Sequence, residues 1–379
     1  MKISIIGGGP AGLFFAYLMK RDDARHEVRV YERDREDATY GWGLVFSDVA
    51  LSFVRNVAPE LYDEMTRNQV VFDEMAVVHR GERVRLAHNT FHRMARIDLL
   101  KALHRACRNA GVAIEFGRRV EEVSEWSGCD LIVAADGANS AIRSRYQEHF
   151  RPSLDERPNW LAWYGTRKLF EALSLIFRKD KHGLMIAHTY QYSQTHSTFL
   201  VEVDPATFAN SGLDRMNEGE SLTYCEKAFA ENLQGQALLS NRSNWFRYTI
   251  VKNEQWHHEN IVLIGDALRT GHPSVGSGTR LALQDAIALF EACKSCGPDV
   301  PKLLEEFVRI RQPGSDALQK AAIKSTEWYE NLGSKLHLDP VSFAYDYVTR
   351  SGRVDHNEVR KRDPSLAAAY ERLHPESVF

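Results

Sequence analysis

The chain has 379 residues, a formal net charge of −3 and 44% hydrophobic residues. This length exceeds one ordinary domain and can bury a large core, and the near-neutral charge excludes a general attraction to nucleic acid or to a membrane surface. No apolar run approaches the ~18 residues that span a bilayer, and the short apolar start "KISII" leads directly into glycines, unlike a signal peptide. We therefore expect a cytoplasmic protein.

The five cysteines fit the same location. An odd number of cysteines in a long chain is not a disulfide framework. Cys293 and Cys296 form a CxxC pair at the end of a helical pattern, but no second pair of metal-ligating residues lies nearby. We interpret both as reduced thiols and expect no metal site.

The first 32 residues predict a βαβ unit around a glycine-rich turn. Strands are expected over Lys2–Ile6 and Glu27–Tyr31, with a helix over Ala11–Lys20. Gly7, Gly9 and Gly12 form GxGxxG between the first strand and the helix, where glycines let a phosphate approach backbone amides. Glu32 ends the second strand, where an acidic residue binds ribose hydroxyls. The pattern predicts a dinucleotide site, either NAD or FAD; a glycine turn without a nucleotide is the alternative.

The next predicted elements extend this sheet. Arg96–Asn109 reads as a helix with Leu99, Leu103 and Cys107 on one face. "DLIVAADG", residues 130–137, has the pattern of a short buried strand that ends in a turn.

Between Trp160 and Val251 the pattern changes to antiparallel strands joined by polar turns, as in "LSLIF", "GLMIAHTYQYS" and "STFLVEVD". Alternation places Ile186, His188, Tyr190 and Tyr192 on one strand face. Such a face either forms a pocket wall or packs on a neighbouring layer.

A strand, a glycine-rich segment and a helix follow in "IVLIGDALRTGHPSVGSGTRLALQDAIAL", residues 261–289. Three glycines, a proline and an aspartate between strand and helix favour a ligand lying against backbone. From Pro301 onward the pattern is helical and amphipathic. We predict an α/β (α+β overall) fold with a Rossmann-like parallel sheet, an inserted antiparallel-sheet substrate domain and C-terminal helices. The predicted FAD-binding domain is residues 1–75, 96–155 and 255–295, the substrate domain 76–95 and 156–254, and the helical region 296–379.

Three segments in order, GxGxxG, "DGANSAIR" and "GDALRTGHPSVGSG", resemble the group A flavin-dependent aromatic monooxygenases of the para-hydroxybenzoate hydroxylase-like fold. The resemblance implies that Asp266 binds the ribitol of FAD, that Gly276–Thr279 lies at the pyrimidine edge of the flavin, and that Arg96 reaches the pyrophosphate. A surface arginine with a buried stem is the alternative for Arg96. The implied FAD contacts are Gly7, Gly9, Pro10, Ala11, Gly12, Glu32, Arg33, Gly43, Leu44, Val45, Arg96, Asp136, Gly265, Asp266, Pro273, Gly276, Ser277, Gly278 and Thr279. Many relatives carry histidine where this chain has Arg269.

A narrower resemblance covers nearly the full chain. "WYGT", the hairpin "HTYQYS…STFLVEV" and "STEWYENL…TRSGRV…RDP" are similar to salicylyl-CoA 5-hydroxylases and to the monooxygenase part of 2-aminobenzoyl-CoA monooxygenase/reductases. Parts also resemble indole hydroxylases of violacein synthesis. The resemblance implies that NADH or NADPH reduces FAD, that O2 forms a flavin C4a-hydroperoxide, and that oxygen passes to an electron-rich aromatic ring, with salicylyl-CoA as the expected substrate.

The sequence alone does not identify the catalytic base. His188, Tyr190, Tyr192 and His272 are the candidates, and packing is the alternative role for each. Tyrosine has an ordinary pKa near ~10, so the two tyrosines are better suited to packing or hydrogen bonding than to proton transfer.

A CoA thioester requires cations for its phosphates. The segment from the "WYGT" strand onward contains four basic residues that could bind these phosphates. The alternative for all four is an ordinary solvated position on the surface. They are Arg167, Lys168, Arg178 and Lys179.

Three alternatives stay open. The first is a hydroxylase whose substrate is an indole or tryptophan derivative instead of an aryl-CoA. The second is a flavin oxidoreductase of the same fold that inserts no oxygen, and the third is a catalytically idle flavoprotein.

Overall fold

A computed structural model describes residues 1–38, 41–87, 90–121, 126, 128–273 and 278–377. Within these residues the chain forms three sheets, with helices on the faces of the two large ones. No helix in the described ranges is both long and apolar enough to cross a membrane.

The strands alternate with helices at the start of the chain and follow one another directly in the middle. In chain order they are β1 Lys2–Ile6, β2 Glu27–Glu32, β3 Gly43–Ser47, β4 Val70–Phe72, β5 Met75–His79, β6 Glu82–Leu86, β7 Phe91–Ala95, β8 Ala113–Phe116, β9 Leu131–Ala134, β10 Pro152–Thr166, β11 Leu173–Lys179, β12 Leu184–Gln191, β13 Ser197–Val203, β14 Leu238–Leu239, β15 Phe246–Asn253, β16 His257–His258 and β17 Ile261–Leu263.

The helices become continuous toward the end of the chain. They are α1 Pro10–Asp22, α2 Asp48–Val57, α3 Pro59–Thr66, α4 Arg96–Ala110, α5 Ala141–Arg145, α6 Gln147–Phe150, α7 Pro205–Asn210, α8 Glu218–Ala228, α9 Ala230–Leu233, α10 Gly278–Cys296, α11 Val300–Glu330, α12 Pro340–Thr349, α13 His356–Arg362 and α14 Pro364–Leu373.

The first sheet has the strand order β16-β17-β9-β1-β2-β8. All its pairs are parallel except β16 with β17. β1 and β9 are buried along almost their whole length because α1, α4 and α10 pack around them in one apolar core. The sheet brings the carboxyl ends of β1, β9 and β17 side by side, which is where ligands bind in such sheets.

The second sheet has the order β14-β10-β13-β12-β11-β5-β6, with β15 also paired to β10. It is antiparallel except for the β5–β11 pair. One apolar cluster joins it to the C-terminal helices through Trp328, Phe343 and Tyr347, and another joins it to α7–α9 through Phe208 and Phe229.

A third, three-stranded antiparallel sheet of order β3-β7-β4 lies between the two units. The predicted fold class is confirmed: a parallel sheet, an antiparallel sheet and C-terminal helices are all present. The finer domain division stays a prediction. Its boundary between residues 155 and 156 lies inside β10, and β7, placed with the substrate domain, pairs with β3.

Candidate active site

The glycine-rich turn after β1 contains two glycines that the fold requires. Gly7 has φ +107°, and a Cβ there would lie 2.2 Å from the carbonyl oxygen of Ala135. A Cβ on Gly12 would lie 2.2 Å from the carbonyl oxygen of Gly7. At Gly9, by contrast, a Cβ would meet no atom of the described residues within 4 Å. The open side of Gly9 therefore faces space that a ligand can fill.

That space is a cavity of about 200 Å³, here called the nucleotide cavity. Glu32 closes one side: its carboxylate accepts hydrogen bonds from the amides of Gly8 at 2.6 Å and Asp34 at 2.8 Å. Of the predicted FAD contacts, this cavity is lined by Gly7, Gly9, Glu32, Arg33, Arg96 and Asp136.

Asp136 has a structural contact as well as a place in the nucleotide cavity. One carboxylate oxygen accepts the amide of Ala141 at 2.8 Å at the start of α5. The other is buried with no hydrogen-bond partner among the described residues. Burial raises the pKa of Asp136. An unsatisfied buried oxygen beside a cavity fits a ligand that donates a hydrogen bond.

A second cavity, of about 380 Å³ and here called the central cavity, shares Arg96 with the nucleotide cavity. One wall contains predicted flavin contacts: Pro10, Gly43, Leu44, Val45, Arg96, Asp266, Pro273, Gly278 and Thr279. The other lining residues come from the two antiparallel sheets and the C-terminal helical region: Met75, Phe91, Trp163, Leu173, Leu175, His188, Tyr190, Thr198, Leu200, Tyr248, Tyr329, Tyr347 and Arg350.

Asp266 and Arg96 carry opposite charges in the flavin-side wall. Enclosure by the protein raises the pKa of Asp266, and the positive charge of Arg96 partly offsets that rise. The Asp266 side chain is exposed, and it lines the central cavity. Gly265, at φ +62°, follows β17 by two residues and turns the chain so that Asp266 enters the cavity.

Other predicted flavin contacts support this wall from behind. A Cβ built on Gly265 would lie 3.0 Å from the Ala11 side chain, so close packing requires glycine there. Ala11, Gly12 and Gly265 are not among the residues that line either cavity. Gly276 and Ser277 lie outside the described residues.

Strand β3 contains predicted flavin contacts and is hydrogen-bonded to the second sheet through Gly43. The Gly43 amide donates to Thr198 Oγ1 at 3.0 Å, and the Gly43 carbonyl accepts the Tyr190 hydroxyl at 2.8 Å. Burial raises the pKa of Tyr190 to about 12. Tyr192 packs against Gly43, where a Cβ would come within 2.5 Å of its ring, and it is not among the cavity-lining residues.

His188 is held by a buried carboxylate. Its Nε2 lies 2.9 Å from Oε2 of Glu202, and their side chains are 12% and 1% exposed. The other oxygen of Glu202 accepts the Asn159 amide at 2.8 Å. Burial would raise the pKa of Glu202, but the hydrogen bond and charge of His188 outweigh it and lower that pKa. The carboxylate therefore selects the tautomer with a proton on Nε2 and leaves Nδ1 as the acceptor.

His272 lies behind the cavity wall. Its side chain is buried, its ring is 5.0 Å from that of Tyr248, and it is not among the lining residues, although its neighbours Gly271 and Pro273 are. Burial lowers the pKa of His272 to about 4, so the ring is neutral at physiological pH.

Arg269, the departure noted in the sequence, belongs to a buried ion-pair network. Asp285 is fully buried and accepts hydrogen bonds from Arg269, from Arg311 Nε at 2.7 Å and from the Gly265 amide at 3.0 Å. The guanidinium of Arg269 also lies over the Trp256 ring, 5.1 Å from its centroid. Its contacts are therefore structural.

Arg93 on β7 is a second buried cation. Its side chain is fully buried, its three guanidinium nitrogens have no hydrogen-bond partner among the described residues, and it lies 4.7 Å from the centroid of Phe72. Burial lowers the pKa of Arg93 to about 10, so it stays charged at neutral pH.

The four cations considered for CoA phosphates lie elsewhere. Arg178 pairs with Glu231 at 2.9 Å, and Lys168 bonds Gln234 at 2.5 Å. None of Arg167, Lys168, Arg178 and Lys179 is among the residues that line the central cavity.

Sequence reasoning missed Glu202, Arg93, Tyr329, Tyr347 and Arg350. One signal existed for Glu202: it is the only charged residue in the otherwise uncharged β13 stretch "STFLVEV". No local signal pointed to the other four. Arg93 lies in the short strand β7, and Tyr329, Tyr347 and Arg350 belong to the C-terminal helical region, which reaches the cavity only through tertiary packing.

Together these features fit FAD. The open face at Gly9 and the unsatisfied oxygen of Asp136 line one cavity, and the exposed carboxylate of Asp266 lines a second that shares Arg96 with the first, as expected for an extended dinucleotide.

Comparisons with known proteins agree. The family model described as "FAD binding domain" matches residues 1–321. The chain is 35% identical to the salicyloyl-CoA 5-hydroxylase of a Streptomyces species, over 93% of this chain and 70% of the relative. It is 32% identical to protodeoxyviolaceinate monooxygenase of Chromobacterium violaceum, over 92% and 94% of the two chains.

A third relative is the 3-hydroxy-4-methyl-anthranilyl-[aryl-carrier protein] 5-monooxygenase of Streptosporangium sibiricum, at 33% identity over 93% and 95% of the two chains. Among solved structures, 2-methyl-3-hydroxypyridine-5-carboxylic acid oxygenase in its tetrameric form aligns with a TM-score of 0.71 at 16% identity, over 95% of each chain, which shows the shared fold. The chain therefore belongs to the FAD-binding family of flavin-dependent aromatic monooxygenases.

Proposed function

We propose that this monooxygenase hydroxylates the ring of a benzoyl thioester that carries an ortho hydroxyl or amino group, with salicylyl-CoA hydroxylated at position 5 as the leading substrate. The observation that supports it most directly is the pairing of His188, which lines the central cavity, with the buried carboxylate of Glu202. Two relatives are named for oxygenation at position 5 of a thioester-linked aromatic acid.

His188 serves as the base in this proposal. Position 5 of a salicylyl group is para to its hydroxyl, so removal of the phenolic proton raises the electron density at the carbon to be oxygenated. Nδ1 of His188 takes that proton, and the carboxylate of Glu202 stabilises the imidazolium that results. Bound FAD, once reduced by NADH or NADPH, supplies the activation of O2, so that one oxygen atom enters the ring and the other leaves as water.

The apolar wall excludes water from the reacting ring. Leu173, Leu175, Leu200 and Phe91 line the cavity on the substrate side. Exclusion of water prevents loss of the activated oxygen as peroxide. Tyr190, with its high pKa and its hydrogen bond to Gly43, holds β3 in place beside the flavin, and His272 stays neutral behind the loop.

The flavin-side assignments are part of the proposal. Asp266 binds the ribitol, Glu32 the ribose, and Arg96, which lines both cavities, the pyrophosphate between them. A cytoplasmic location, which the free thiols favour, belongs to the proposal too.

The test mixes the yellow protein with NADH or NADPH, O2 and, one at a time, salicylyl-CoA, 2-aminobenzoyl-CoA, free salicylate and indoles, and searches by mass spectrometry for a gain of one oxygen. We expect product from a CoA ester and none from free salicylate. Peroxide without product from every CoA ester would end the thioester assignment, while product from an indole alone would favour the activity named for the Chromobacterium relative.

Two variants separate the cofactor site from the base. Asp266→Ala should lose flavin. His188→Ala should keep flavin and lose turnover, and normal turnover by this variant would remove His188 from the mechanism.

A further inference from the structure

Three cations near residues of the central cavity have no acidic partner among the described residues. Within the described part of the chain, no carboxylate lies in ion-pair distance of Arg280, Lys324 or Arg353, although most surface arginines here are paired. We call these three residues the cation cluster. Unneutralised positive charge held together is unfavourable unless an anion binds.

Each member is close in sequence to a residue that lines the cavity or contacts a lining residue. Arg280 directly follows Thr279, which lines the cavity at the start of α10. Lys324 precedes Ser325, whose Oγ accepts from Arg350 Nε at 2.9 Å, and Arg350 is itself a wall residue. Arg353 follows Arg350 by three residues. The cluster therefore lies next to the wall.

The three charges also lie close to one another. A Cβ built on Gly352 would be 3.3 Å from Nζ of Lys324, which places that ammonium beside the backbone that carries Arg353. Arg280 is half-buried over the ring of Phe53, 5.4 Å from its centroid, and its Nε is buried without a partner among the described residues. Burial lowers the pKa of Arg280, and the positive charges of Arg353 and Arg311 lower it further.

Neighbouring Arg311, by contrast, is neutralised by a carboxylate. It donates to the buried carboxylate of Asp285 at 2.7 Å, so its charge is matched inside the protein. The cation cluster has no such match among the described residues and is in part accessible: Lys324 and Arg353 are exposed.

We propose that the cation cluster binds the phosphate groups of the carrier to which the aromatic acid is attached as a thioester. This inference rests on the proposed function and extends it from the ring to the carrier. With the aromatic ring in the apolar cavity, the pantetheine arm leads outward and its charged end remains at the surface. Arginine and lysine bind phosphate by charge-assisted hydrogen bonds. CoA and a carrier protein share this phosphopantetheine chemistry.

The test compares three esters of the same acid: salicylyl-CoA, S-salicylyl-phosphopantetheine and the uncharged S-salicylyl-N-acetylcysteamine. For Lys324→Gln/Arg353→Gln we expect KM for the CoA ester to rise about tenfold with kcat unchanged, and KM for the N-acetylcysteamine ester to stay as in wild type. Arg280→Gln should act in the same way, provided that flavin absorbance and thermal midpoint show it folded. Lys168→Gln and Arg178→Gln are matched controls.

The outcomes are distinct. A KM effect on both charged esters identifies the pantetheine phosphate, and an effect on the CoA ester alone identifies the phosphates of the nucleotide; either supports the inference. Equal KM changes for charged and uncharged esters, or none for any, would overturn it while the proposed function stands. If no thioester is hydroxylated, the proposed function fails and this inference with it.

Discussion

Replacing Glu202 by glutamine removes the negative charge beside His188, the proposed catalytic base, and hardly changes the side-chain volume. The amide still accepts from Asn159 with its oxygen, but it turns an NH2 toward Nε2 of His188. The imidazole then carries its proton on Nδ1, the nitrogen that should accept the phenolic proton. Glu202→Gln therefore removes both the favoured tautomer and the charge that stabilises the imidazolium.

The size of the effect follows from the geometry. Nε2 and Oε2 are 2.9 Å apart, so the centres of the two charges are roughly 4 Å apart, and the pair is almost fully buried. At an effective dielectric constant of about 20, two unit charges at this separation attract by about 4 kcal/mol. Loss of that attraction in the transition state lowers the rate by about 10³, within the range of about 10²–10⁴ typical of general base catalysis.

The assay is single-turnover hydroxylation by pre-reduced enzyme mixed with oxygenated buffer and substrate, followed by mass spectrometry. Flavin content and the rate of flavin reduction should match wild type, because Glu202 is not among the residues that line either cavity. His188→Gln should lose as much activity, and the double variant should lose no more, since the two act as a unit. Hydroxylation by Glu202→Gln within threefold of wild type, or additive losses, would refute the reasoning.

Three further predictions concern cofactor binding and stability. Gly12→Ala puts a methyl group 2.2 Å from the Gly7 carbonyl oxygen and should abolish soluble flavoprotein. The methyl group of Gly9→Ala meets no described atom within 4 Å, so this variant should fold but bind FAD more weakly in a flavin titration. Equal behaviour of the two variants would contradict this. Asp285→Asn leaves two buried arginines short of a counter-charge and should cost about 3–5 kcal/mol in urea unfolding, and a loss under 1 kcal/mol would show the network to be dispensable. Burial lowers the pKa of His272 to about 4, so the unfolded chain binds a proton at this residue before the native protein does as the pH falls below about 6.5. The free energy of unfolding should therefore drop by about 2 kcal/mol from this residue at pH 5. His272→Phe should reduce the loss of stability between pH 7 and pH 5.

The elements with strong local signals were predictable from the sequence. The helix predicted over Arg96–Asn109 is α4, Arg96–Ala110, and the first two strands agree with β1 and β2 to within one residue. Glycine spacing identified the turn after β1 because sterics there allow little else: Gly7 and Gly12 each face a carbonyl oxygen. Periodicity and turn chemistry were sufficient for these parts.

What stayed hidden depends on contacts between distant segments. His188 and Glu202 lie on adjacent strands whose register, with His188 opposite Leu200, makes them diagonal neighbours, and no pattern within one strand specifies that register. Tyr329, Tyr347 and Arg350 come from the C-terminal helices, more than a hundred residues beyond His188. The small β3-β7-β4 sheet escaped notice because its strands are short and separated by helices.

The carboxylate of Asp285, on α10, binds two other parts of the chain at one point: the segment after β17 through Gly265 and Arg269, and the long helix α11 through Arg311. That same helix carries Tyr329 to the substrate-side wall. A fragment cut after α10 would keep every glycine of the dinucleotide motif and still lack the contact of Arg311 with Asp285. Engineering a minimal flavin module from this chain would therefore need α11 retained, or the Asp285 site rebuilt with apolar side chains.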